Sequence, residues 1–208
     1  MKNSHIEVAY REQTNSVAPE TTRLSETIDR YIADMTITLS MLPYPVILTI
    51  VAVLDEARKK GKAVFIFGNG GSAATASHFA CDLAKGTIRP DRPRFKVQAL
   101  TDNLPVFSAW ANDTSYDRVF AEQLENYLAL GDVVVAISGS GNSPNVLGGV
   151  RAARAKGAMT IGFTGFDGGR LKDLVEIPLV VPNNTMEQIE DVHLLLGHLI
   201  TTCLKNIG

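Results

Sequence analysis

Apolar runs without alternation constrain this chain more than any other feature. AVFIF (63–67), DVVVAIS (132–138) and AMTIGFT (158–164) are apolar at nearly every position. A half-exposed strand alternates; a strand that does not is buried on both faces. FKVQAL (95–100) and EIPLVV (176–181) read as two further strands. Helical stretches lie among them: GSAATASHFACDLAKG (71–86), SPNVLGGVRAARAKG (143–157) and TMEQIEDVHLLLGHLITTCLKNI (185–207). This alternation predicts one α/β domain. Its core is a five-stranded, mostly parallel sheet with helices on both faces and right-handed crossovers.

Two helices precede the first strand. Leu24, Ile28, Ile32 and Met35 recur at helical spacing until Pro43 and Pro45 interrupt. VILTIVAVLDEARKKGK (46–62) follows and ends at Gly61. Residues 1–18 read as a flexible N-terminal arm, and 19–208 as one domain that includes these helices. EARKK (56–60) reads as a solvated helix end. Phe107 and Trp110 read as core or interface anchors.

Composition narrows the partners. Of 208 residues, 45% are hydrophobic and 20% charged, with a net charge of −2. There is no basic excess, so no nucleic acid is expected. No membrane is expected either. The N-terminal stretch MKNSHIEVAYREQTNS is polar, and the longest apolar run, MLPYPVILTIVAVL (41–54), is short and holds two prolines. Cys81 and Cys203 form no disulfide framework, so a reducing cytoplasm is expected.

Two strand-to-helix turns carry the candidate chemistry. The first is Gly68-Asn69-Gly70-Gly71-Ser72-Ala73. Glycine permits a sharp turn and close backbone approach, and a helix start favours an anion. A plain tight turn is the alternative. The second is Ser138-Gly139-Ser140-Gly141-Asn142-Ser143. Ser143 before Pro144 fits an N-cap with Pro at N1. That role leaves Ser138 and Ser140 unexplained. Two such turns at strand ends suit a phosphorylated ligand in the crevice of an open sheet. The first nearly fits the dinucleotide pattern, but the acid it needs, Asp102, comes late. No Gly-Lys-Ser/Thr follows the glycines, which argues against a nucleoside triphosphate. A serine cradle without lysine suits one monophosphate.

His78 and Asp82 are four residues apart on one helix face; Glu190 and His198 are eight apart and also share a face. Each pair alone has a structural ion pair as its alternative. Together they form a nitrogen and oxygen donor set that suits zinc or another divalent transition ion. A carboxylate and a His also suit aldose–ketose isomerisation, which moves one proton between carbons and another between oxygens.

GNGGSAATASHFACDL (68–83), WANDTSYDRVFAEQL (110–124), GDVVVAISGSGNSPNV (131–146), TGFDGG (164–169) and EDVHLLLGH (190–198) together resemble the sugar isomerase (SIS) domain family, in particular its phosphoheptose isomerases. The resemblance spans about residues 20–206. It implies a flavodoxin-like three-layer sandwich. Phosphate-sugar contacts would fall on Asn69, Gly70, Gly71, Ser72, Asn112, Asp113, Ser138, Gly139, Ser140 and Ser143, with Asp82 and Glu190 also touching substrate. The metal, zinc at one per subunit, would fall on His78, Asp82, Glu190 and His198. Asp82 and His198 would be the acid/base pair. The implied reaction converts sedoheptulose 7-phosphate to D-glycero-D-manno-heptose 7-phosphate, toward nucleotide-activated heptose. The implied assembly is a homotetramer, packed through the N-terminal helices, with active sites at subunit interfaces.

This chain departs from the family pattern at three positions. Asp82 stands where Glu is usual, Glu190 where Gln is usual, and Gly139 where Thr is frequent. The added carboxylate makes the metal site more anionic. Two other functions stay open: isomerisation of another sugar phosphate, and a non-catalytic SIS protein that binds a replication initiator. The presence of both histidines and both acids favours an enzyme.

Overall fold

The computed structural model describes residues 19–207. The arm expected over 1–18 lies outside them. The chain divides into two compact units, 1–40 and 41–208. The first contains helix α1 (Pro19–Ser40). The second begins with α2 (Tyr44–Lys59), which has Pro45 in its first turn, where a missing N–H costs nothing.

From β1 (Ala63–Gly68) the chain alternates as expected: α3 (Gly71–Cys81), β2 (Lys96–Ala99), α4 (Leu104–Asp113), α5 (Val119–Tyr127), β3 (Val133–Ile137), α6 (Pro144–Ala155), β4 (Met159–Thr164), β5 (Ile177–Val180) and α7 (Met186–Asn206). The sheet order is β2-β1-β3-β4-β5 with every pair parallel. Val64 pairs with Val133 and Gly68 with Ile137, so β1 and β3 end side by side. Pro178 is tolerated because β5 is an edge strand.

All five residues of β3 are buried, which is why its sequence does not alternate. Phe65 and Phe67 of β1 and Val134 and Ala136 of β3 join Phe120, Leu124, Val146 and Val150 in one core cluster. The alternate residues Val64, Ile66, Val135 and Ile137 are buried too and point to the opposite face, where α3 and α7 pack together.

Three expectations change. The helix expected over 71–86 is α-helical only to Cys81 and continues as a π-helical turn, Asp82–Gly86. Helices α4 and α5 fill a stretch to which the sequence reading assigns no element; Phe107 and Trp110 of α4 pack against the core cluster, as expected of anchors. The EARKK segment is not wholly solvated. Arg58 is buried, paired with Asp55, and lies over the Phe95 ring at 5.8 Å. Burial raises the Asp55 pKa, but hydrogen bonds from Lys59 and Arg58 outweigh it and hold the carboxyl below its ordinary range.

Candidate active site

The sheet order places its switch point between β1 and β3, and the two glycine-containing turns leave their carboxyl ends there. They enclose a cavity of about 130 Å³ whose polar lining comes from Asn69, Ser72, Ser138, Ser140, Ser143 and Glu190. Ser143 is the N-cap residue of α6 but makes no side-chain cap bond. Its hydroxyl lies 3.3 Å from the Ser138 hydroxyl instead. The cap position therefore leaves the Ser143 side chain in the cavity.

The serine loop is held from behind by the segment after β4. The Gly165 N–H donates to the Gly139 carbonyl at 2.9 Å, and the Leu171 N–H donates to the Gly141 carbonyl at 2.9 Å. Asn142 Oδ1 accepts from the Arg170 N–H at 3.2 Å and from its Nε at 3.3 Å. Gly141 has φ +63°, and a Cβ there would meet the Gly168 carbonyl oxygen at 2.1 Å. Only glycine fits such a crossing.

Asn69 is fixed by two residues that sequence reasoning missed. Its Nδ2 donates to Asn145 Oδ1 at 2.9 Å, and its Oδ1 accepts from Asn145 Nδ2 at 2.8 Å and from the Tyr116 hydroxyl at 3.0 Å. Asn145 is buried on α6, just after the serine loop; a polar residue inside an otherwise apolar helix start was the available signal. Asn112 and Asp113, expected as substrate contacts, are exposed at the end of α4, bonded to each other at 2.8 Å, and do not line the cavity. Asp102, the residue the dinucleotide reading required, accepts from the Ser77 hydroxyl.

A second cluster forms where α3 meets α7. Gly197 lets the helices approach; a Cβ there would lie 3.4 Å from the Phe79 ring. Asp82 Oδ2 lies 2.9 Å from His198 Nδ1, and Asp82 Oδ1 lies 3.8 Å from His78 Nε2. The two imidazoles meet edge to face with centroids 4.7 Å apart. One donor atom from each of His78, Asp82 and His198 lies within 4.8 Å of the others. Two imidazole nitrogens and a carboxylate oxygen at this spacing fit a divalent transition ion and leave positions for further ligands.

Glu190, expected as the fourth metal donor, is not gathered with these three. It sits eight residues before His198, about 12 Å along the α7 axis. Its carboxylate rests against Gly71, where an added Cβ would come to 2.4 Å of Oε2. Gly71 is the first residue of α3, so the carboxylate takes the positive end of that helix dipole.

A larger cavity, about 690 Å³, opens at the amino ends of the strands, between α2 and the starts of β1, β3 and β4. Its cations are all engaged: Lys60 with Glu56 at 3.1 Å, Lys62 with the Leu130 carbonyl at 2.8 Å, and Arg154 with Glu176 at 3.3 Å. Ligands of open α/β sheets bind at the carboxyl ends of the strands, so the smaller cavity is the candidate site.

An all-parallel sheet with a serine-lined cavity at its switch point, and with two histidines and a carboxylate gathered where α3 meets α7, defines a protein of the doubly wound α/β class. The chain belongs to the SIS domain family, whose model matches residues 31–165. It is 41% identical over 156 residues to a phosphoheptose isomerase of Citrifermentans bemidjiense, covering 75% of this chain and 81% of that protein. A phosphoheptose isomerase of Aquifex aeolicus is 35% identical over 161 residues, covering 77% and 84%. Among solved structures, the phosphoheptose isomerase of Neisseria gonorrhoeae matches with TM-score 0.81 and 29% identity over 90% of this chain and 99% of that one. That of Francisella tularensis matches with TM-score 0.83 and 25% identity, over 91% and 100%.

Proposed function

We propose that this chain is a sugar-phosphate aldose–ketose isomerase that converts sedoheptulose 7-phosphate to D-glycero-D-manno-heptose 7-phosphate, supplying nucleotide-activated heptose synthesis. The observation that carries the chemistry is the Asp82–His198 contact at 2.9 Å, in a cluster that joins both acid/base types. The relatives named phosphoheptose isomerase carry the choice of sugar.

Ser138, Ser140 and Ser143 hold the phosphate, with the N-terminus of α6 behind it. Asn69 and Ser72 line the other side, and Gly70, Gly71 and Gly139 would contribute backbone. Asp82 removes a proton from C1 and later returns it to C2. His198 protonates O2 and then takes the proton from O1. The net change is the shift of two hydrogens through an enediol, with atoms and electrons balanced. His78, Asp82 and His198 would hold a divalent ion, zinc in our reading and one per subunit, which would polarise the carbonyl when bound, while Glu190 stands apart against Gly71.

Assembly as a homotetramer with active sites at subunit interfaces accounts for the apolar side chains left exposed on α1, and Asn112 and Asp113 would reach substrate in that assembly. Among the described residues no single helix is long and apolar enough to cross a membrane. Two free cysteines accord with a cytoplasmic setting.

The test is proton NMR of purified protein with sedoheptulose 7-phosphate. Appearance of the aldose anomeric signal is the expected outcome. Turnover of only a pentose or other sugar phosphate would move the substrate; no turnover of any sugar phosphate would leave a binding protein. His198→Gln is expected to lose turnover by a factor of about 100 or more, with sugar-phosphate binding through the serine loop still measurable in calorimetry, though weaker where loss of this ligand lowers metal occupancy.

A further inference from the structure

Among the described residues, no cationic side chain lines the serine cavity. Its polar walls are neutral at Asn69, Ser72, Ser138, Ser140 and Ser143, and the one ionisable side chain that lines it is the carboxylate of Glu190. A phosphate bound there gains hydroxyl hydrogen bonds and the dipole of α6. It also meets a like charge. In a space of about 130 Å³ no ion can retreat far from the wall. Like charges at such range weaken binding by about tenfold or more.

The carboxylate is well placed to stay. Two helix N-termini open on this crevice, those of α3 at Gly71 and α6 at Pro144. Glu190 lies against Gly71 and so takes the first of them. The second remains for the phosphate. A neutral residue at 190 would leave both helix ends to the ligand.

We infer that Glu190 makes phosphate binding in the serine cavity conditional on a divalent cation held at the neighbouring His78–Asp82–His198 cluster. The inference rests on the serine cavity as the phosphate site. Without the cation the carboxylate repels the phosphate. With the cation its charge is offset and the cradle binds. Linkage makes the effect reciprocal, so phosphate raises cation affinity by the same factor. A sugar phosphate would then enter a subunit that already holds its metal, and metal loss would release it.

The test is calorimetric titration of inorganic phosphate into the whole protein in two forms, fully chelated, and loaded with one equivalent of zinc and desalted. Chelated wild type should bind phosphate at least about tenfold more weakly than the loaded form. Chelated Glu190→Gln should bind about as tightly as loaded wild type. The chelated comparison does not depend on whether Gln supports metal binding. Equal affinity of chelated and loaded wild type, with no gain in chelated Glu190→Gln, overturns the inference and leaves the serine cradle standing. Ser140→Ala serves as the control for the cradle. If it binds phosphate as wild type does in both forms, the phosphate site is elsewhere and the inference falls with it.

Discussion

His193 shows how one helix can carry two histidines with unlike roles. His198 is exposed beside Asp82; His193, five residues earlier, is fully buried against Phe163. Its Nε2 lies 3.2 Å from the Thr164 carbonyl and donates to it, which leaves Nδ1 buried without a partner among the described residues. Burial pushes the imidazole down to about 4 from 6.5, and the hydrogen bond to Thr164 offsets this only partly. The folded state therefore keeps this ring neutral where an unfolded chain would protonate it. Its contribution to stability is full above pH 6.5 and is lost as pH falls toward 4, by on the order of 3 kcal/mol. Urea midpoints of wild type should fall between pH 6.5 and 4 more steeply than those of His193→Gln, which keeps a donor for the Thr164 carbonyl. The other titrating groups are shared and cancel in the difference. Parallel pH profiles for the two proteins would mean that His193 does not titrate this way.

The serine loop and its brace act as one element. The carbonyls of Gly139 and Gly141 are taken by the segment after β4, so most of the loop's brace is independent of its hydroxyls, which add the Asn142 N–H to Ser140 Oγ bond and the Ser138–Ser143 contact, each at 3.3 Å. Ser138→Ala/Ser140→Ala should accordingly cost no more than about 2 kcal/mol of unfolding free energy and leave the protein folded. It should weaken sugar-phosphate binding by about 1.5–3 kcal/mol for each hydroxyl lost to a charged ligand. Unchanged affinity in calorimetry would remove this loop from the site. Much of this element was legible in sequence. Gapless apolar strands announced β1, β3 and β4, and Ser before Pro announced the start of α6. The brace was not legible, because its bonds to Gly139 and Gly141 use backbone groups that any residue carries, and its one side-chain link, Asn142 with Arg170, joins residues 28 apart. Helices α4 and α5 escaped for another reason. None of the residues of α4 is fully buried, so no sharp apolar stripe marks it. The π-helical turn at Asp82 also left no local sign. The place of Glu190 depended on Gly71, far away in sequence, having no side chain.

At the scale of the whole molecule, α1 carries an exposed apolar stripe that calls for a cover. Leu24, Ile28 and Ile32 recur every four residues along its 22-residue length and are each close to 60% exposed. On α2, Tyr44 and Leu48 are exposed as well, at 62% and 65%. Scattered apolar residues on a surface need no explanation, but a stripe along one helix does. An amphipathic helix gains most of its stability from packing that stripe. Each such side chain is worth about 1.5–3 kcal/mol when fully buried, so three of them can decide an association. A second copy of this chain, and in our proposal a set of four, is the natural cover. Sedimentation equilibrium of wild type should then give a mass near four times 22.5 kDa. Leu24→Ser/Ile28→Ser/Ile32→Ser should shift it toward smaller species at micromolar concentration, and turnover should fall along with it if active sites lie between subunits. Removal of residues 1–18 should change neither quantity, because the stripe begins beyond them. A triple variant that sediments as wild type would exclude this face from the assembly. One that dissociates yet keeps full turnover would show instead that each subunit holds a complete site, with Asn112 and Asp113 idle.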